Sequence, residues 1–114
     1  MSIDQEVNIF LALDYLRDNA PLYAKAKADR VYLEEFKKSL KAIEMTKAEV
    51  NGAKSAATQE RDAYASQAYI THLDGLRVAI DNEEILRWRM VAAQAKIEVW
   101  RTMESSRRYE AKTL

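Results

Sequence analysis

Residues 84–102 decide the fold: Glu84-Ile85-Leu86-Arg87-Trp88-Arg89-Met90-Val91-Ala92-Ala93-Gln94-Ala95-Lys96-Ile97-Glu98-Val99-Trp100-Arg101-Thr102. Two apolar tracks run through this stretch. Leu86, Met90, Ala93, Ile97 and Trp100 recur at spacings 4-3-4-3, and Ile85, Trp88, Ala92, Ala95 and Val99 at spacings 3-4-3-4. At 100° per residue both are stripes of one α-helix, and they point in different directions. Arg89 and Lys96 form a thin charged ridge between them, while Arg87, Gln94, Glu98 and Arg101 make up an opposing polar face. A helix with two apolar stripes has to meet two neighbours. One can be the chain's own second helix, and the other the first helix or a second copy of the chain.

Working outward, the rest of the chain reads as helix too. Gly52, Gly75 and Pro21 are the only glycines and proline among 114 residues, which leaves few of the residues that sheet turns need. Ser2 and Gln5 have the spacing of a capping box. Ile3, Val7, Phe10, Leu13 and Leu16 follow at helical intervals, and Asn19-Ala20-Pro21 reads as a stop. Pro21 also suits the first turn of a second helix. That helix carries Leu22, Ala26, Asp29, Leu33, Phe36, Leu40, Ile43, Lys47 and Val50 on a heptad track and ends at Asn51-Gly52. Residues 51–58 read as a bend, with Ser55 or Thr58 capping a third helix. Nothing compels a break from there to Arg108. Asp74-Gly75 is a candidate kink, and Asp81 with Glu84 a candidate second start, although a continuous charged face is the favoured reading.

The expected fold is therefore all-α: one domain over residues 1–114, with helices at about 2–19, 21–51 and 56–108 and a kink allowed at 74–75 or 81–84. The architecture expected is an elongated, coiled-coil-like antiparallel hairpin with the short N-terminal helix packed on it, associating as an oligomer. A chain this short buries only a modest core by itself.

The net charge is zero, but it alternates along the chain: −3 over residues 1–20, +3 over 21–54, −4 over 55–84 and +4 over 85–114. Alternation of this kind favours side-by-side packing. The basic C-terminal quarter is where an anionic partner would sit, and Arg107, Arg108 and Lys112 are its candidate nucleic-acid contacts. The same three cations also suit the end of a helix, where the backbone dipole favours positive charge. Absence of cysteine removes disulfide and thiolate chemistry and fits a reducing cytoplasm. No stretch reads as a signal peptide, because acidic Asp4, Glu6 and Asp14 flank the short run Ile9–Leu13. None reaches the roughly 20 apolar residues of a membrane span.

Catalytic chemistry is not expected. His72, the single histidine, has only Ala68, Tyr69, Gly75 and Leu76 as helical neighbours and reads as a solvated side chain. Glu34-Glu35 and Glu83-Glu84 are adjacent pairs that diverge by 100°, so neither can share a ligand or a proton. No catalytic, metal, cofactor or small-molecule site is expected. The tryptophans and the six tyrosines invite comparison with base-stacking platforms, but packing accounts for Trp88 and Trp100 on the apolar stripes. The ten residues of the two stripes, from Ile85 to Trp100, are the candidate partner or self-association surface.

The pattern Leu86-Arg87-Trp88, then Ala92-Ala93-Gln94-Ala95, then Ile97-Glu98-Val99-Trp100-Arg101-Thr102, resembles the C-terminal helix of small helical proteins of tailed bacteriophages, many encoded near recombination and single-strand-binding genes. The resemblance covers residues 84–102. It implies no activity and no functional residue. What it implies is an accessory role in recombination or host takeover, exercised in the host cytoplasm on a phage or host recombination protein. Three readings follow: a non-enzymatic interaction protein, a single-stranded nucleic-acid binder using the basic C-terminal helix, and, more weakly, an inhibitor of a host enzyme.

Overall fold

The computed structural model describes residues 8–113. Among these residues there are three helices and no strand: α1 (Ile9–Val50), α2 (Ala56–Tyr64) and α3 (Gln67–Thr113). The capping box at Ser2 and Gln5 and the apolar positions Ile3 and Val7 lie outside the described residues.

The start of α1 is held by Asn8. Its Oδ1 accepts hydrogen bonds from the backbone N–H groups of Phe10 and Leu11, both at 3.1 Å, which satisfies two donors that a helix start leaves unpaired. The helix then runs 42 residues and carries Pro21 inside it, so the expected break at 19–21 is absent. Proline costs one backbone bond and some crowding, but it does not forbid a helix. Arg17 and Pro21 are both exposed, so solvent can satisfy the carbonyl that the proline nitrogen cannot reach. One turn earlier, Asn19 donates its side-chain amide to the Tyr15 carbonyl at 2.9 Å.

The end of α1 follows the sequence expectation closely. Gly52 has φ +108°, its N–H bonds the Glu49 carbonyl at 3.1 Å, and the Ala53 N–H bonds the Ala48 carbonyl at 3.0 Å. This pair of bonds is a Schellman motif, and its left-handed position suits glycine. Of the two residues proposed to cap the next helix, Ser55 does so: its Oγ accepts from the Thr58 N–H at 3.1 Å.

The continuous third helix expected from residue 56 to about 108 is instead divided at Ala65-Ser66. Ser66 donates its hydroxyl to the Ala63 carbonyl at 2.7 Å and accepts from the Tyr69 N–H at 3.2 Å. A serine that bonds nearby backbone in this way competes with the helical ladder, closing α2 and capping α3 together. From Gln67 the helix passes through Gly75 and through 81–84, and it reaches Thr113, beyond the expected end at Arg108.

Contacts group the chain into two units. The terminal unit joins the residues up to Ala24 with those from Glu84 onward, and the central unit is Lys25–Glu83. In the central unit the buried residues are Ala26, Ala48, Ala63, Tyr69 and Leu76, together with the acids Glu44 and Glu83. Arg30 meets Glu83, Leu33 meets His72, and Lys41 meets Glu60, so partner numbers fall as the number along α1 rises. In the terminal unit Ala12 of α1 and Ala93 of α3 are buried. Among the described residues no large side chain is completely enclosed.

Candidate functional site

The two stripes of α3 have different fates within the terminal unit. Ala93 is buried, and Leu86, Met90 and Ile97 are half-buried, so this track is turned inward. Its last member, Trp100, is 38% exposed. On the other track Ile85, Trp88, Ala92, Ala95 and Val99 are all exposed. Trp88, at 57% exposure, is not the packed tryptophan that its apolar spacing suggests. It is nonetheless held in place. Its indole N–H donates to Glu84 Oε2 at 3.1 Å, and the Arg87 guanidinium lies 4.4 Å from its ring centroid and pairs with Glu84 at 2.8 Å. Carboxylate and guanidinium thus fix an aromatic ring on the surface with its apolar area displayed.

Beside this stripe lies a groove of about 490 Å³, lined by Leu11, Ala12 and Tyr15 of α1 and by Arg89, Ala92 and Lys96 of α3. Three features of the groove were not evident from spacing. Ala92 and Ala93 line it with small side chains. Arg89 and Lys96 stand on its wall without an ion-pair partner among the described residues, and the residues lining it include no acid. The Tyr15 hydroxyl is buried there with no hydrogen-bond partner. Sequence spacing had placed Arg89 and Lys96 on a ridge between stripes, but the convergence of Leu11 and Tyr15 on them depends on tertiary packing.

Elsewhere on α3 three ion pairs join neighbours one turn apart: Arg87–Glu84, Arg101–Glu98 and Arg107–Glu104. Of the three candidate nucleic-acid contacts, Arg107 is therefore engaged by Glu104 at 2.6 Å, whereas Arg108 and Lys112 are exposed on the last turns. No aromatic platform is assembled beside them; Tyr109 is exposed and makes no ring contact among the described residues.

In the central unit His72 is not simply solvated. It is half-buried, its Nε2 lies 2.7 Å from the Leu33 carbonyl, and its ring is 5.6 Å from that of Phe36. Because the partner is a carbonyl, Nε2 is the protonated nitrogen and the donor. Lys41 bonds Glu60 at 3.1 Å and lies 4.9 Å from the Tyr64 ring centroid, and the Tyr64 phenol and Glu60 hold its pKa above the ordinary lysine value. These groups pin α2 and α3 to α1.

Among the described residues no three metal-binding side chains cluster, and no helix is long and apolar enough to cross a membrane. No protein-family model matches this chain, and neither does any curated protein or solved structure.

Proposed function

We propose that this chain is a non-enzymatic helical interaction protein whose docking surface is the outward stripe Ile85, Trp88, Ala92, Ala95 and Val99. One observation carries the reading: of two equally apolar stripes on one helix, the first is turned into the terminal unit and the second is exposed. Contiguous exposed apolar area of this kind marks interaction surfaces. A tryptophan held in position is the residue type most enriched at their energetic centres. Small residues at Ala92 and Ala95 allow a second helix to approach closely. The descending contacts in the central unit support an antiparallel helical hairpin as the scaffold, and self-association is the default for an apolar stripe with no other identified occupant. The resemblance of residues 84–102 to small phage proteins supports an accessory role in recombination or host takeover.

Sedimentation equilibrium at micromolar concentrations tests this. The wild type is expected to associate. Ala95→Glu is expected to dissociate it while leaving the helical circular dichroism unchanged, because Ala95 is exposed in the isolated chain. A strictly monomeric wild type whose Trp88 is shielded from quencher would mean that the chain covers its own stripe.

A further inference from the structure

The groove of the terminal unit is a slot two turns long. Its lining runs from Asn8 to Tyr15 at the start of α1 and from Arg89 to Lys96 on α3, seven residues along each, or about 10.5 Å of helix. Small side chains occupy the middle, Ala12 on one helix and Ala92 and Ala93 on the other. Leu11 adds an apolar side chain that is 66% exposed. Lack of a salt bridge is shared by other charges of α3. What sets Arg89 and Lys96 apart is that both line a concave surface with no acid among its described lining residues. A second observation concerns a different kind of group. The Tyr15 hydroxyl is the one buried side-chain polar atom without a hydrogen-bond partner among the described residues, and Tyr15 is part of this lining. A buried hydroxyl left without an acceptor is costly, and such orphans call for an explanation.

We infer that this slot binds a free carboxylate with an unbranched apolar tail, of the size of a medium-chain fatty acid. Sites between packed helices that are mostly apolar, with a few convergent polar groups, take ligands of this kind. A volume of about 490 Å³ is ample for an acyl chain and too small to enclose a protein helix. The tail lies along the alanines and Leu11, and the carboxylate takes its charge complement from Arg89 and Lys96. It is also the acceptor that the Tyr15 hydroxyl lacks. Because that hydroxyl is buried, a ligand that uses it enters between the helices and does not merely lie across them. All of these residues belong to the terminal unit, and the site does not depend on the reading of the outward stripe.

Calorimetric titration of the full chain with decanoate, below its micellar concentration, tests this. Binding is expected, weakening with added salt, while decyltrimethylammonium, with the same tail and the opposite charge, binds far less well. Replacing both cations, Arg89→Gln with Lys96→Gln, should weaken decanoate about tenfold, the scale of two exposed ion pairs. Leu11→Glu, at an exposed position outside the stripe, should abolish binding and leave the helical circular dichroism unchanged. Tyr15→Phe should lower affinity severalfold while the unliganded chain melts no lower than wild type, because the hydroxyl it removes has no partner there. Failure of the wild type to bind decanoate overturns the proposal. So does equal binding of the two amphiphiles, or decanoate affinity indifferent to Leu11→Glu and Tyr15→Phe, which would place the tail on the outward stripe.

Discussion

Arg30 grips Glu83 across 53 residues of sequence, with Nε at 2.6 Å from one carboxylate oxygen and Nη2 at 3.0 Å from the other. A second arm, Nη1, reaches Glu34 at 2.9 Å. Glu83 is buried, so its charge depends on the fork, whereas Glu34 is only half-buried. Removing one member of a buried pair strands the other. Arg30→Met should therefore lower the urea midpoint clearly, and by more than Glu34→Ala. Equal effects from the two would show that burial of Glu83 does not matter.

Pro21 lies inside α1 rather than at its start, and its missing N–H is a standing cost. Pro21→Ala should stabilise the chain by about 2 kcal/mol: roughly 3 kcal/mol from the helix interior, less up to about 1 kcal/mol for the freer unfolded chain. Chemical denaturation measures it. A loss of stability would mean that proline's geometry at this turn is needed.

Ala63 is 0% exposed, packed where α2 turns toward α3. There is no room for a larger side chain without movement of the neighbouring helices. Ala63→Leu should cost about 1–3 kcal/mol by overpacking, although leucine is more apolar and helix-compatible. A neutral or stabilising result in the same denaturation assay would show that this junction is loosely packed.

Lys41 has a raised pKa because of the Tyr64 phenol first and Glu60 second. A cation whose folded pKa exceeds its unfolded value contributes stability that is complete below the unfolded value, near 10.5, and disappears as pH rises through the folded one. The stability difference between wild type and Lys41→Met should then be constant at neutral pH and shrink above 10.5. A difference that persists unchanged into stronger alkali would point to packing of the lysine stem instead.

Local signals account for the parts of this structure that sequence alone predicts. Gly52 as a left-handed helix stop, Ser55 as a cap and the periodicity of residues 84–102 each involve neighbours within two turns, so the chain states them directly. Pro21 misleads for the same reason. Its local preference for a first turn is real, but the residues on either side favour helix strongly enough to carry α1 through it. Ser66 gives a weak signal, because neither glycine nor proline stands beside it to mark a break. The Arg30–Glu83 fork, the Leu33–His72 bond and the groove at Tyr15 join residues distant in sequence, and no spacing rule reaches them. Two stripes are visible from the sequence, but only tertiary packing decides which of them turns inward.

Among the described residues the buried positions are mostly alanines: Ala12, Ala26, Ala48, Ala63 and Ala93, with Tyr69 and Leu76 as the larger apolar members. An alanine core lets backbones approach closely but withdraws little hydrocarbon from water. Unfolding an isolated chain should therefore absorb less heat capacity than the roughly 1.4–1.7 kcal/mol/K usual for this length, and its dependence on urea should be shallow. Most of the large apolar groups remain outside, where a partner can reach them. Association would then supply a share of the hydration change that a larger protein obtains from its own interior, and the melting temperature would rise with protein concentration. In calorimetric terms folding and recognition would be one transition.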